Sequence, residues 1–166
     1  MTDDAKRPAG WPRAAVALSG MLLVAGCQSG VFSMVGGAGN GVGVSASSET
    51  TLAEVRSEHG LPQLVPDAKL EKAAAEQAGY MARASRMSHK TGWRKDFATR
   101  MHENGVEGAA AENVGYGAMS QGKLFSMWMA SKGHRRNMLD PRFSHYGLAS
   151  ADDGQGRKYW ALVLGR

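Results

Sequence analysis

Four short clusters hold the side chains most able to move protons, ligate a metal or orient a ligand. They are Met87-Ser88-His89, Ala111-Glu112-Asn113-Val114, Trp128-Met129-Ala130-Ser131 and Gly133-His134-Arg135-Arg136-Asn137-Met138-Leu139. Two imidazoles and a carboxylate are a common zinc set that leaves a fourth position for water, which makes His89, Glu112 and His134 candidate ligands. The same groups can instead hydrogen-bond one another and hold layers of a fold together, and the residue types alone leave both readings open. The two histidines are 45 positions apart, so only tertiary structure can bring them together. Ser131 and His134 form a nucleophile–base pair on paper, but no acidic orienter or strained elbow accompanies them. The HExxH zinc-protease signature and glycine-rich phosphate loops are absent. His59, His102 and His145 stand in no comparable pattern. Arg135 and Arg136 read as a solvated cationic face, and Asn113 and Asn137 as ties to nearby backbone.

Cys27 offers a different chemistry. It is the single cysteine, so the fold has no internal disulfide. Lys6, Arg7 and Arg13 precede an apolar run from Ala14 to Val24, about half the length needed to span a bilayer. The run ends in Val24-Ala25-Gly26-Cys27, which resembles a bacterial lipobox. That resemblance implies a lipoprotein signal peptide over 1–26, a diacylglyceryl group on Cys27, and acylation of the new N-terminus. The expected location is extracytoplasmic and lipid-anchored to a bacterial membrane. Gln28 in place of Asp implies the outer membrane where there are two.

Residues 27–50 read as the lipidated cysteine followed by a flexible tether, because 28–50 is Gly- and Ser-rich with no helical period. The folded domain is expected over 51–166. Thr51-Leu52-Ala53-Glu54 has capping-box form, and Gly60 and Pro62 stop that helix. A second helix starts at Asp67 with Leu70, Ala74, Ala78 and Met81 on one face. A shorter one runs over Lys95–Glu103, placing His89 in the loop between them. The last spans Ser120 to Lys132 with Leu124, Met127 and Trp128 on one core stripe. Gly133 is its stop, and His134 stands just past its end. Tyr146–Ala151 and Tyr159–Leu164 flank a turn at Asp152-Asp153-Gly154-Gln155-Gly156 and read as a β-hairpin. Helices first and strands late imply an α+β layered domain.

Length and composition agree with one globular domain: 166 residues, 43% apolar, formal charge +5. Removing 1–26 lowers the charge to +4. No basic run interleaved with aromatics points to nucleic acid.

In order and spacing the four clusters resemble the CAP superfamily of cysteine-rich secretory proteins, antigen 5 and pathogenesis-related one, in its disulfide-free bacterial form. The resemblance covers about residues 51–166, including Tyr159-Trp160-Ala161-Leu162-Val163. It implies an α-β-α sandwich with a small antiparallel sheet between helical layers, and a central cleft built by two histidines and two glutamates. His89 matches the first histidine, Glu112 the first glutamate and His134 the second histidine. Ser131 stands where the second glutamate is expected, which removes a carboxylate from the cleft. The expected function is a non-enzymatic binding module for a lipid, glycan or protein partner through that cleft. The alternative is a metal-dependent, peptidase-like hydrolase using zinc in the same place. Ser131 disfavours the second, because Glu112 cannot be both metal ligand and general base.

Overall fold

The structure is a computed structural model that describes residues 40–166. They belong to one compact unit. The expected signal peptide, Cys27 and the tether through residue 39 lie outside the described residues. Along the chain the elements are β1 (Val42–Gly43), α1 (Ser45–Ser57), β2 (Val65–Pro66), α2 (Ala68–Arg83), α3 (Phe97–Glu103), β3 (Ala110–Gly117), α4 (Gln121–Ala130), α5 (Lys132–Met138), β4 (His145–Asp152) and β5 (Lys158–Gly165).

The C-terminal hairpin sets the sheet. β4 and β5 pair antiparallel from His145 opposite Gly165 to Asp152 opposite Lys158. The turn between them uses Gly154 and Gly156 at φ of 78° and 80°, a region that favours glycine. β3 pairs antiparallel with the other side of β5, so the strand order is β1-β4-β5-β3, with β2 parallel to the start of β4.

Side chains then sort by the two-residue period of a strand. Tyr159, Ala161 and Val163 of β5 pack with α2 and with Met101 of α3. Trp160, Leu162 and Leu164 pack on the other face with Leu52 of α1, Leu124, Phe125 and Trp128 of α4, and Met138 of α5. The result is helix, sheet, helix: the α-β-α sandwich. The alanines of α2 let it lie directly on the sheet. Ala73, Ala74 and Ala78 are fully buried, and a Cβ added at Gly147 of β4 would sit 2.0 Å from the Glu71 amide nitrogen. Asp67 caps α2 by accepting from the Lys69 and Leu70 amides, a contribution of about 1 kcal/mol.

Three expectations change. First, the folded domain begins before residue 51. Val42 and Gly43 pair with Ser150 and Ala149, and α1 starts at Ser45, so the Thr51–Glu54 pattern lies inside the helix. Ser45 is buried: its amide donates to Glu71 Oε2 at 3.0 Å, and its Oγ accepts from the Leu148 amide at 2.9 Å. Small residues are needed here for close approach, and the same composition reads as a tether in sequence. Second, Gly133 does not end the helical run. Ser131 takes extended φ/ψ of −94° and 122°, separating α4 from α5, and Gly133 sits in the first turn of α5. Third, residues 110–117 are a strand, so the sheet has early and middle members as well as late ones.

Candidate functional site

The site is built around β3, an end strand of the sheet. Strand alternation puts Glu112 on the same face as Val114, which packs in the α2 cluster. Glu112 is almost fully buried, with its side chain 2% exposed. A carboxylate there needs partners. Oε1 bonds His89 Nδ1 at 2.8 Å, and Oε2 accepts from Arg100 Nη2. Arg100 is itself buried on α3 and also donates from Nη1 to the Lys95 carbonyl at 3.2 Å. One carboxylate thus serves a buried guanidinium and a half-exposed imidazole. The loop bearing His89 is held beneath by Gln77 of α2, whose Nε2 donates to the Ser88 carbonyl.

The opposite face of β3 meets α5. Asn113 Nδ2 donates to the His134 carbonyl at 3.1 Å, while Asn137 Nδ2 donates to Asn113 Oδ1 at 2.9 Å and to the Glu112 carbonyl at 3.3 Å. The two asparagines therefore fix backbone, as their local chemistry suggested. His134 lies inside α5 rather than beyond a helix end, with its ring centroid 6.3 Å from that of Trp128. Its ring forms no hydrogen bond with His89 or Glu112 among the described residues.

The two imidazoles titrate in opposite directions. The hydrogen bond to Glu112 holds the His89 pKa above the usual histidine value, with burial and Arg100 opposing it in part. Burial pushes His134 down, and the charge on His89 adds to that. Over the pH range between them, His89 is cationic and His134 neutral.

His134 and Ser131 are the polar members of a cleft of about 230 Å³ whose other walls are Met87, Val114, Gly115, Tyr116, Leu124, Met127 and Trp128. Trp128 is buried, donating Nε1–H to the Val114 carbonyl at 3.0 Å and meeting Phe125 edge-on at 5.5 Å. Met127, expected in the core with it, is 46% exposed at the cleft rim.

The residues do not assemble as the expected zinc set. Both oxygens of Glu112 are engaged, one by a fixed cation, and among the described residues no group of three His, Cys, Asp or Glu side chains is placed to hold an ion. The sequence reading also missed Arg100. The signal was present: Phe97, Arg100 and Met101 recur at helical spacing, which puts an arginine on an otherwise apolar stripe. His59 and Arg135 meet each other at 3.1 Å between ring Nε2 and Nη2 at an exposed position.

The profile described as the CAP cysteine-rich secretory protein family matches residues 50–164. The uncharacterized protein YkwD of Bacillus subtilis is 31% identical over 107 residues, 64% of this chain and 41% of that protein. The chain thus spans about two-fifths of that relative. An outer surface protein of Borrelia burgdorferi superposes with a TM-score of 0.66 at 18% identity, over 76% of this chain and 98% of that one. An extracellular SCP-domain protein of Bacillus anthracis gives 0.63 at 24% identity, over 73% and 39%. At these identities the superpositions establish fold alone. With the family profile covering well over half of it, the chain belongs to the CAP, or cysteine-rich secretory protein, family.

Proposed function

We propose that this protein is an extracytoplasmic binding module that receives an apolar part of its ligand, a lipid chain above all, in the cleft between Met87, Tyr116, Met127 and Trp128. One observation carries this reading: the cleft is walled almost entirely by apolar side chains, while both carboxylate oxygens of Glu112 are taken up by His89 and Arg100. Among the described residues no carboxylate lines the cleft to serve as a general base. A volume near 230 Å³ suits one acyl chain or one large side chain better than a whole drug-sized molecule. The surface and extracellular relatives support an extracytoplasmic location. Within that location we assign a lipid on Cys27 as the anchor, from its lipobox-like context. Cys27→Ser is expected to take up no labelled fatty acid, and continued labelling would remove the anchor.

The cleft is tested by calorimetric titration with a lysophospholipid below its micelle concentration. Met127→Asp, at an exposed rim position, is expected to weaken binding at least tenfold without unfolding the domain, since a charge replaces apolar contact. Unchanged affinity would remove the cleft from function.

The opposed titration of His89 and His134 favours one second reading, a hydrolase in which neutral His134 accepts a proton. Peptide or ester cleavage that disappears in His134→Ala would establish it in place of the binding module.

A further inference from the structure

Residues 40–166 carry a formal charge of +4, yet residues 83–95 alone carry +5, from Arg83, Arg86, Lys90, Arg94 and Lys95 with no acidic residue among them. The rest of the domain therefore nets −1. In the middle of this segment stands Trp93, 86% exposed, the most exposed large apolar side chain among the described residues. Met87, 44% exposed, belongs to the same segment and to the cleft rim. The indole meets Arg94, whose Cζ lies 5.5 Å from its ring centroid, and otherwise stands in water beside a concentration of cations.

The segment presents these groups on a fixed frame. Tyr80 at the end of α2 lies under both of its stems, with Arg83 Cζ 5.3 Å and Lys95 Nζ 4.7 Å from its ring centroid. The Lys95 amide donates to the Gly92 carbonyl at 3.2 Å, closing a tight turn with Trp93 and Arg94 at its tip. Arg94 holds φ of 54°, a conformation in which non-glycine residues persist only when surroundings enforce it. The turn thus directs the indole outward. Arg94 also pairs with Glu103 at 3.1 Å, but both side chains are well exposed and such pairs yield readily to a competing anion.

We propose that the 83–95 segment docks the domain on an anionic lipid bilayer, with Trp93 seated at the headgroup boundary and Arg86, Lys90 and Arg94 on lipid phosphates. Charge complementarity selects an anionic partner. The indole selects a bilayer over a soluble polyanion, because its apolar body and N–H suit the membrane interface, and a hydrated polymer would leave it in water. Met87 then places the mouth of the apolar cleft beside the same surface.

Residues 40–166, which carry the whole described core but not Cys27, are sedimented with vesicles of phosphatidylcholine alone and with one-quarter phosphatidylglycerol. Binding is expected only to the anionic vesicles, with a blue shift of tryptophan emission. Reversing Arg86, Lys90 and Arg94 to Glu weakens it on the order of a hundredfold, at about fivefold or more per charge. Trp93→Ala weakens it about tenfold and removes the shift. Reversing Lys72, Lys123 and Arg136, three exposed cations elsewhere, leaves it within threefold; circular dichroism confirms that each variant is folded. No vesicle binding, or equal losses in the two triple variants, overturns the proposal. Equally tight binding to polyglutamate, indifferent to Trp93→Ala, assigns the patch to a soluble polyanion instead. None of these outcomes bears on Cys27 or on Met127, so the anchor and the cleft stand or fall separately.

Discussion

Two arginines are fully buried among the described residues, and they are solvated in different ways. Arg56 of α1 pairs with no carboxylate among the described residues. Its guanidinium donates to four carbonyls: Pro62 at 2.6 Å, Met138 at 3.0 Å, Asp140 at 3.2 Å and Phe143 at 3.4 Å. Burial lowers its pKa, with the Asp140 charge opposing. It clamps α1 to the chain between α5 and β4. Arg100 instead shares a buried carboxylate with His89. Carbonyl dipoles are fixed by the backbone, so Arg56 can only hold structure. A carboxylate has a charge of its own to share, so Arg100 sets the electrostatics of a titratable, half-exposed side chain. Burial of a charge alone does not mark a functional group; what neutralises it does.

The difference predicts different responses to mutation. Arg100→Met strands the Glu112 charge, and breaking a buried pair from one side costs about 3–5 kcal/mol at neutral pH. Adding Glu112→Leu is expected to recover most of that, because an apolar replacement of both partners is close to neutral. Denaturant unfolding of the single and double variants checks it; no recovery would mean that Arg100 acts as Arg56 does. Arg56→Met leaves several carbonyls without their donor and is expected to cost about 2–4 kcal/mol. Here no second apolar substitution can restore stability, since its partners are backbone. Recovery by any neighbouring side-chain change would mean that Arg56 depends on a side-chain partner as Arg100 does.

Deleting residues 40–46 removes the β1 pairing and the Ser45 hydrogen bonds to Glu71 and Leu148. The expected loss is above about 1 kcal/mol, from at least two buried hydrogen bonds. An unchanged unfolding midpoint would return this segment to the tether. The smallest effect belongs to His89, whose side chain is 57% exposed. Its pKa is raised in the folded state, so its contribution is complete below the ordinary histidine value and is lost as pH rises through the raised one. His89→Gln should therefore destabilise by under about 1 kcal/mol near pH 5.5 and by less near pH 8.5, given its exposure. His134 has the reverse linkage: its lowered pKa contributes above the ordinary value and is lost as pH falls through the lowered one.

Much of this fold was legible where a signal was local and periodic. Asp67 and the apolar stripe that follows gave the start of α2 to within a residue and its end to within two, and the Asp152–Gly156 turn gave the hairpin. What was missed depends on tertiary contact. Ala110–Gly117 has too few bulky residues to read as a strand, yet it pairs with β5 along its full length. Ser45 and Gly43 are small because α2 and β4 crowd them, which composition alone renders as a linker. At the site, His89 and Glu112 were legible as chemistry, but Arg100, which takes the other half of Glu112, was visible only as an arginine on an apolar stripe. Among the described residues no three-ligand set is placed to hold an ion, and the Glu112 carboxylate is shared by His89 and Arg100.

The most direct measurement of this arrangement is an NMR pH titration of the ring protons of His89 and His134, assigned with His89→Gln and His134→Gln. His89 is expected to titrate above the usual value of about 6.5 and His134 below it. Arg100→Met is expected to move His89 higher still, because a repelling cation is removed while Glu112 remains. Two histidines that titrate together near the ordinary value, or a His89 unmoved by loss of Arg100, would contradict this arrangement.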